Sequence, residues 1–145
     1  MEKFEKILVL VDGSDSAENV FQKVEKLATD LKATLALLRV VYVHPSWEPF
    51  PGTDLVQAEA KVAREAEEYL GKLEKGLKAK GFKVETHVRY GHDAEEILDH
   101  AAQKDIDLIA MTTHGRSGVK RFLLGSVAEK VLRHSPKPIF LVRCA

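Results

Sequence analysis

Two short stretches of this chain carry residue types suited to holding an anion. The run His114-Gly115-Arg116-Ser117-Gly118 is followed by Gly125-Ser126, with nine residues between Gly115 and Gly125. Glycine lets a backbone come close to a charged group and reach positive φ. The unpaired amides and dipole at a helix start favour negative charge, and Ser126 adds a hydroxyl donor. An ordinary turn at Gly118 and an ordinary helix start at Gly125-Ser126 use the same residues, so phosphate binding and plain punctuation both stay open at this level. Arg116, Lys120 and Arg121 either neutralise phosphate or stand as solvated charge, Arg116 being the best placed. Residues 114–145 hold seven Lys or Arg and one acid, Glu129, in a chain whose 22 basic and 22 acidic residues otherwise cancel.

Asp12 ends the apolar run Ile7–Val11. It reads as a ligand contact at a strand end or as the carboxylate that orders the next turn. Bond-breaking chemistry is harder to assemble. His114 as a general base needs a positioned nucleophile or water, and Gly-x-Ser-x-Gly spacing is absent around Ser117 because Gly118 follows directly. The phosphate loop ending in Gly-Lys-Ser/Thr and the Gly-x-Gly-x-x-Gly fingerprint are missing too. His44, His87, His92, His100 and His134 are scattered without metal-ligand spacing, which assigns them surface or structural roles. The single cysteine, Cys144, permits no intrachain disulfide and reads as incidental.

The elements that must position these residues follow from periodicity. Lys6 to Val11 is a branched apolar run suited to a strand buried on both faces. From Ser14 onward Ala17, Val20, Val24, Leu27, Ala28 and Leu31 recur at helical spacing, and Asp15 with Glu18 resembles a capping box. Thr34 to Val43 is a second strand interrupted by one charge, Arg39. His44 to Gly52 holds three of the five prolines and reads as a stiff loop, with Trp47 and Phe50 tucked against the domain rather than closing over a ligand. Leu55 to Lys80 is a long amphipathic helix, weakened at Gly71 and Gly76 and capped by Gly81. Phe82 to Tyr90 is a third strand, and a turn at Gly91 leads into a helix whose Ile97, Leu98, Ala101 and Ala102 face inward. Asp107 to Thr113 and Pro138 to Arg143 are further strands, with a helix from Ser126 to before Pro136 between them.

Strands alternating with helices at this size imply an α/β fold with a parallel sheet covered on both faces and right-handed crossovers. In such open sheets ligands lie beyond the carboxyl ends of the strands, which selects the loops after strands one, two and four. A chain of 145 residues is expected to form one domain, residues 1–145. Zero net charge gives no long-range field toward nucleic acid or an anionic membrane. The N-terminal apolar run of five residues is too short for a signal core or a membrane span, so a cytoplasmic location is the expectation.

The stretch MTTHGRSGVKRFLLGSVAEKVLRHSPKPIFLVR, from Met111 to Arg143, resembles the C-terminal signature of universal stress proteins. The family's nucleotide motif is Gly, two residues, Gly, nine residues, then Gly with Ser or Thr. Gly115, the nine residues 116–124, Gly125 and Ser126 match it, and Thr112 stands where the first glycine would be. ILVLVDGS and LLRVVYV resemble the family as well, so the similarity spans nearly the whole chain.

The resemblance implies a three-layer α/β/α sandwich, Rossmann-like and of the adenine nucleotide alpha hydrolase type, with five parallel strands in the order 3-2-1-4-5. It implies ATP as ligand, accompanied by Mg2+ or Mn2+. Leu10, Val11 and Asp12 would line the adenosine pocket, and Val40 would meet adenine through its backbone. Met111 and Thr112 would lie beside the ribose and first phosphate, with His114, Gly115, Arg116, Gly125, Ser126 and Val127 around the phosphate chain. A left-handed backbone at Thr112 would cost ~1–2 kcal/mol, and an extended one nothing. The implied function is a stress-response module that binds adenine nucleotide with slow or no hydrolysis. It would be homodimeric through Ile139 to Val142, since an apolar edge strand needs cover. Two alternatives are a nucleotide-independent dimeric interaction scaffold, supported by Thr112, and a slow ATPase.

Overall fold

β1 (Lys6–Leu10) is the spine of the fold, with Ile7, Leu8 and Val9 wholly buried. A strand apolar at successive positions must be covered on both faces, and the structure, a computed structural model, covers it so. It describes residues 3–12, 15–41, 55–103, 105–113 and 125–143, without the side chains of 15–19 and 55–59. Along the chain follow α1 (Asp15–Leu31), β2 (Thr34–Val41), α2 (Leu55–Ala79), β3 (Val84–Tyr90), α3 (Asp93–Ala101), β4 (Leu108–Thr112), α4 (Ser126–His134) and β5 (Ile139–Val142). The strands form one open parallel sheet in the order 3-2-1-4-5.

Side-chain alternation sorts the core into two layers. Ile7, Val9, Leu35, Leu37, Leu108 and Ala110 pack with Val20 and Val24 of α1 and Leu70 and Leu77 of α2. Leu8, Ala36, Leu38, Ile109 and Met111 pack on the other face with Ile97 and Ala101 of α3 and Ala128 and Val131 of α4. Helices one and two thus cover one face, three and four the other.

Boundaries shift by a residue or two from the sequence expectation. β3 begins at Val84 and β4 spans Leu108–Thr112. Leu31, expected on the inner face of α1, is 37% exposed in its last turn, where the chain turns out through Lys32 at φ 56. Ala102, expected inward, is exposed because α3 ends at Ala101 and Ala102 is its C-cap. α2 runs through Gly71 and Gly76 without interruption, and Gly81 takes φ +95 just past its end. Gly91 has φ +143, a conformation that calls for glycine, and a Cβ there would meet Glu96 Oε1 at 2.8 Å, so the Glu96 side chain would have to shift. The Asp15–Glu18 cap, Tyr42 and Val43, the proline-rich loop with Trp47 and Phe50, and Cys144 lie outside what is described.

Candidate functional site

The carboxyl ends of the central strands are level with one another. Parallel register sets Leu10 opposite Leu38 and Val9 opposite Ala110. The strand order reverses at β1, whose neighbours β2 and β4 lead away in opposite directions. A crevice is expected there, and a cavity of about 490 Å3 opens at that place.

Most of its wall comes from four sources. The end of β1 and the two residues after it contribute Leu10, Val11 and Asp12; β2 contributes Leu38 to Val41; β4 contributes Met111 and Thr112; the start of α4 contributes Gly125 to Ala128. Nine residues singled out from the sequence therefore meet around one space: Leu10, Val11, Asp12, Val40, Met111, Thr112, Gly125, Ser126 and Val127. His114, Gly115 and Arg116 lie outside the described residues.

Backbone direction gives Val40 a particular part. The Leu38 carbonyl accepts from the Val11 amide at 3.0 Å, so Leu38 turns its backbone polar groups toward β1. The Val41 carbonyl, accepting from Gly91 at 3.0 Å, turns the other way, toward β3. With a period of two, Val40 turns its N–H and C=O to the β1 side, level with Asp12 and beyond the end of β1 at Leu10.

At the opposite wall α4 begins with Gly125 as its N-cap, at φ −61 and ψ 154, with no side-chain cap on its first turn. Any L-residue can hold those angles, so the expected use of glycine for positive φ does not apply at Gly125. What it contributes is a bare backbone at the cavity wall. The first intrahelical bond runs from the Glu129 amide to the Gly125 carbonyl at 2.9 Å. The amides of Ser126, Val127 and Ala128 precede it, in the turn where a helix has no internal acceptor to offer. Partial positive charge gathers at such a turn.

Thr112 is the last residue of β4, paired in register with Val142. Among the described non-glycine residues positive φ occurs at Lys32, so Thr112 bears no left-handed strain. Alternation from Leu108 and Ala110 aims its side chain at the α1 face, whereas Met111 belongs to the α3 and α4 layer.

Seven wall residues were not singled out as site residues from the sequence: Leu38, Arg39, Val41, Val62, Asp93, Ile97 and Ala128. Arg39 lies with its guanidinium carbon 5.8 Å from the centre of the Tyr69 ring, in cation–π range, while Val62 comes from α2 and Asp93 and Ile97 from α3. The signal for Arg39 was visible as the one charge inside a strand of apolar residues. Asp93, in the first turn of α3, has no comparable local signal.

A sequence model of the universal stress protein family matches residues 3–143. The chain belongs to the universal stress protein family. It is 33% identical to universal stress protein MJ0531 of Methanocaldococcus jannaschii, over 97% of this chain and 82% of that protein. Among solved structures, that of MJ0577, described as a structure-based assignment of biochemical function, has a TM-score of 0.83 at 30% identity and covers 99% of both chains. Two more distant structures share the fold. A universal stress protein in complex with cAMP matches at TM-score 0.67 and 23% identity over 99% of this chain and 100% of its own. The Archaeoglobus fulgidus protein in complex with dAMP matches at TM-score 0.67 and 22% identity over 97% of this chain and 98% of its own. No described helix of the present chain is long and apolar enough to cross a membrane.

Proposed function

We propose that this universal stress protein is a single-domain cytoplasmic regulatory module that binds adenine nucleotide, ATP foremost, and turns it over slowly or not at all. The observation that carries the reading is the joining of three chemistries in one cavity: apolar walls at Leu10, Val40 and Met111, a carboxylate at Asp12, and the open first turn of α4 at Gly125 to Ala128. An aromatic base suits the apolar walls, and its polar edge can meet the backbone N–H and C=O of Val40. A ribose hydroxyl suits Asp12. Phosphate suits a helix N-terminus. The volume of about 490 Å3 falls in the range of small-ligand sites. The cAMP and dAMP carried by related folds are adenine nucleotides, which supports the same class here.

Mg2+ or Mn2+ fits this reading. Such ions are commonly held by one or two carboxylates together with substrate phosphates, and Asp12 and Asp93 both line the cavity. Bound there, the ion would neutralise phosphate charge.

Isothermal titration with ATP, paired with thermal unfolding, tests the function. Saturable binding is expected, and ATP at a hundred times Kd should add about 2.7 kcal/mol of stability. No saturable heat and no shift at millimolar ATP would overturn the reading. ADP release should stay near the buffer rate over hours, and steady ADP production would make the chain an ATPase.

A further inference from the structure

α3 is a nine-residue helix that touches two different places. At its N-terminal end Asp93 and Ile97 line the cavity. At its C-terminal end His100 is 5% exposed, and its ring lies 4.7 Å from that of His87 on β3, centre to centre, at 54°. Asp93, Ile97 and His100 are spaced by four and three residues, so they share one face. At a rise of about 1.5 Å per residue, the two ends are separated by about 10 Å. A displacement of either end of so short and rigid an element reaches the other.

We infer that the His87–His100 pair is an acid-sensitive latch on α3, which releases the cavity wall at Asp93 and Ile97 when the pair takes up protons. The inference rests on the nucleotide-binding reading for its ligand, though not for its mechanics.

The charges around His100 lie on several elements and bear on why it resists protonation. β3 supplies Glu85, His87 and Arg89; β1 supplies Lys6; the turn after α3 supplies Asp105. Lys6 Nζ is already engaged by Glu85 at 2.9 Å and Asp105 at 2.7 Å. Arg89 Nε is held by Glu96 at 2.8 Å. His87 Nε2 lies 3.5 Å from Glu85 Oε2, and His87 is the more exposed of the two rings. β2 faces α3 with the apolar Ala36 and Leu38. From α4, Lys130 reaches Glu95, on the outer side of α3. His100 is held below its usual range first by burial and then by the charges of His87 and Arg89, with Asp105 and Glu85 opposing. Two adjacent imidazolium rings, one of them buried, are an arrangement that acid makes unfavourable. Moving the end of α3 outward, so that His100 meets water, relieves it.

The test compares wild type with His100→Asn and, because a change at a buried site can impair folding, with His87→Gln at the more exposed ring. ATP affinity is measured from pH 7.5 to 5.5. Titration of the nucleotide's own phosphate is common to all three proteins and cancels in the comparison. Wild type should lose about tenfold more affinity than either variant across that range, the factor that one pKa unit of coupling carries. Equal pH slopes in all three would overturn the latch. Amide hydrogen exchange along residues 93–101 of the unliganded protein reads the same motion without nucleotide. Opening that becomes more frequent below pH 6.5 in wild type but not in His100→Asn supports the latch, and identical protection in both overturns it. Absence of ATP binding at pH 7.5 would sink the proposed function alone, leaving the exchange measurement to decide the latch.

Discussion

The Gly125 amide donates to the Thr113 carbonyl at 2.9 Å, tying the start of α4 to the end of β4. The Thr113 amide in turn donates to the Val142 carbonyl at 3.0 Å. The helix start is therefore fixed to the sheet by main-chain bonds, and the amides of its first turn are held at the cavity before any ligand arrives. Preorganised donors of this kind avoid part of the ordering cost of binding.

Gly125→Asp separates fold from ligand. The backbone angles at Gly125 suit any L-residue, and Asp is among the best N-caps, worth a few tenths of a kcal/mol over glycine. The variant should therefore unfold at the wild-type temperature or slightly above it. Its carboxylate would compete for the amides meant for phosphate and repel the anion, so ATP affinity should fall by about a hundredfold, roughly 2.7 kcal/mol. Calorimetric titration and thermal unfolding read the two effects. Undiminished ATP binding would move the phosphate end elsewhere.

Thr112→Gly tests the one departure from the family motif. Positive φ is absent at Thr112, and alternation aims its side chain at the α1 face. Removing the side chain should leave ATP affinity within about threefold, under 0.7 kcal/mol, while weakening the strand by roughly 1 kcal/mol. Binding that appears only in the glycine variant would favour the nucleotide-independent scaffold.

Gly71 and Gly76 concern stability alone. Both lie inside α2, are exposed, and have nothing within 4 Å of an added Cβ. Alanine at each should stabilise by about 0.8–1 kcal/mol, the helix-propensity difference, with ATP binding unchanged. Denaturant midpoints check this, and a loss of stability would mean that this face of α2 is covered.

Much of this was legible in the sequence, for identifiable reasons. Ile7 to Val9 and Leu35 to Leu38 are apolar at consecutive positions, which only a strand buried on both faces explains. The cavity residues on β1 and β4 came with the family motif. Arg39, Asp93 and Ile97 did not, since tertiary packing alone places α3 against the ends of β2 and β4. His100 shows the same limit: its burial depends on how α3 packs on the sheet, where its ring meets His87 of β3, and no local spacing distinguishes it from the exposed His92 and His134.

Stability should change with pH in separate windows. His100 is held below its usual 6.5, chiefly by burial. The unfolded chain therefore binds the proton more readily, and stability is lost as pH falls from 6.5. Glu85 and Asp105 are held below their usual 4.5 and 3.8, each first by its hydrogen bond to Lys6, so their contribution is lost at still lower pH. Lys6 is held above 10.5 by the same partners, Asp105 first, and its contribution disappears as pH rises beyond that value. Denaturant unfolding from pH 8 to 3 should show two descents. His100→Asn should remove the upper one alone, and retention of both descents would assign the upper window to other groups.

The far edge of the sheet yields a prediction about assembly. β5 is the terminal strand, and its Ile139, Phe140 and Leu141 are half-buried. Pro138 and Val142 turn their carbonyls toward β4, accepting from Ile109 at 2.9 Å and Thr113 at 3.0 Å. By the period of two, Ile139 and Leu141 turn their amides away from the sheet. If two such edges pair in a homodimer, those amides are the donors, and proline at 141 deletes one while sparing the bonds to β4. Light scattering at micromolar concentration should give twice the 16.2 kDa chain mass for wild type and a monomer for Leu141→Pro with an unchanged circular dichroism spectrum. A wild-type monomer would refute the dimer, and a dimeric Leu141→Pro would place its interface away from this edge.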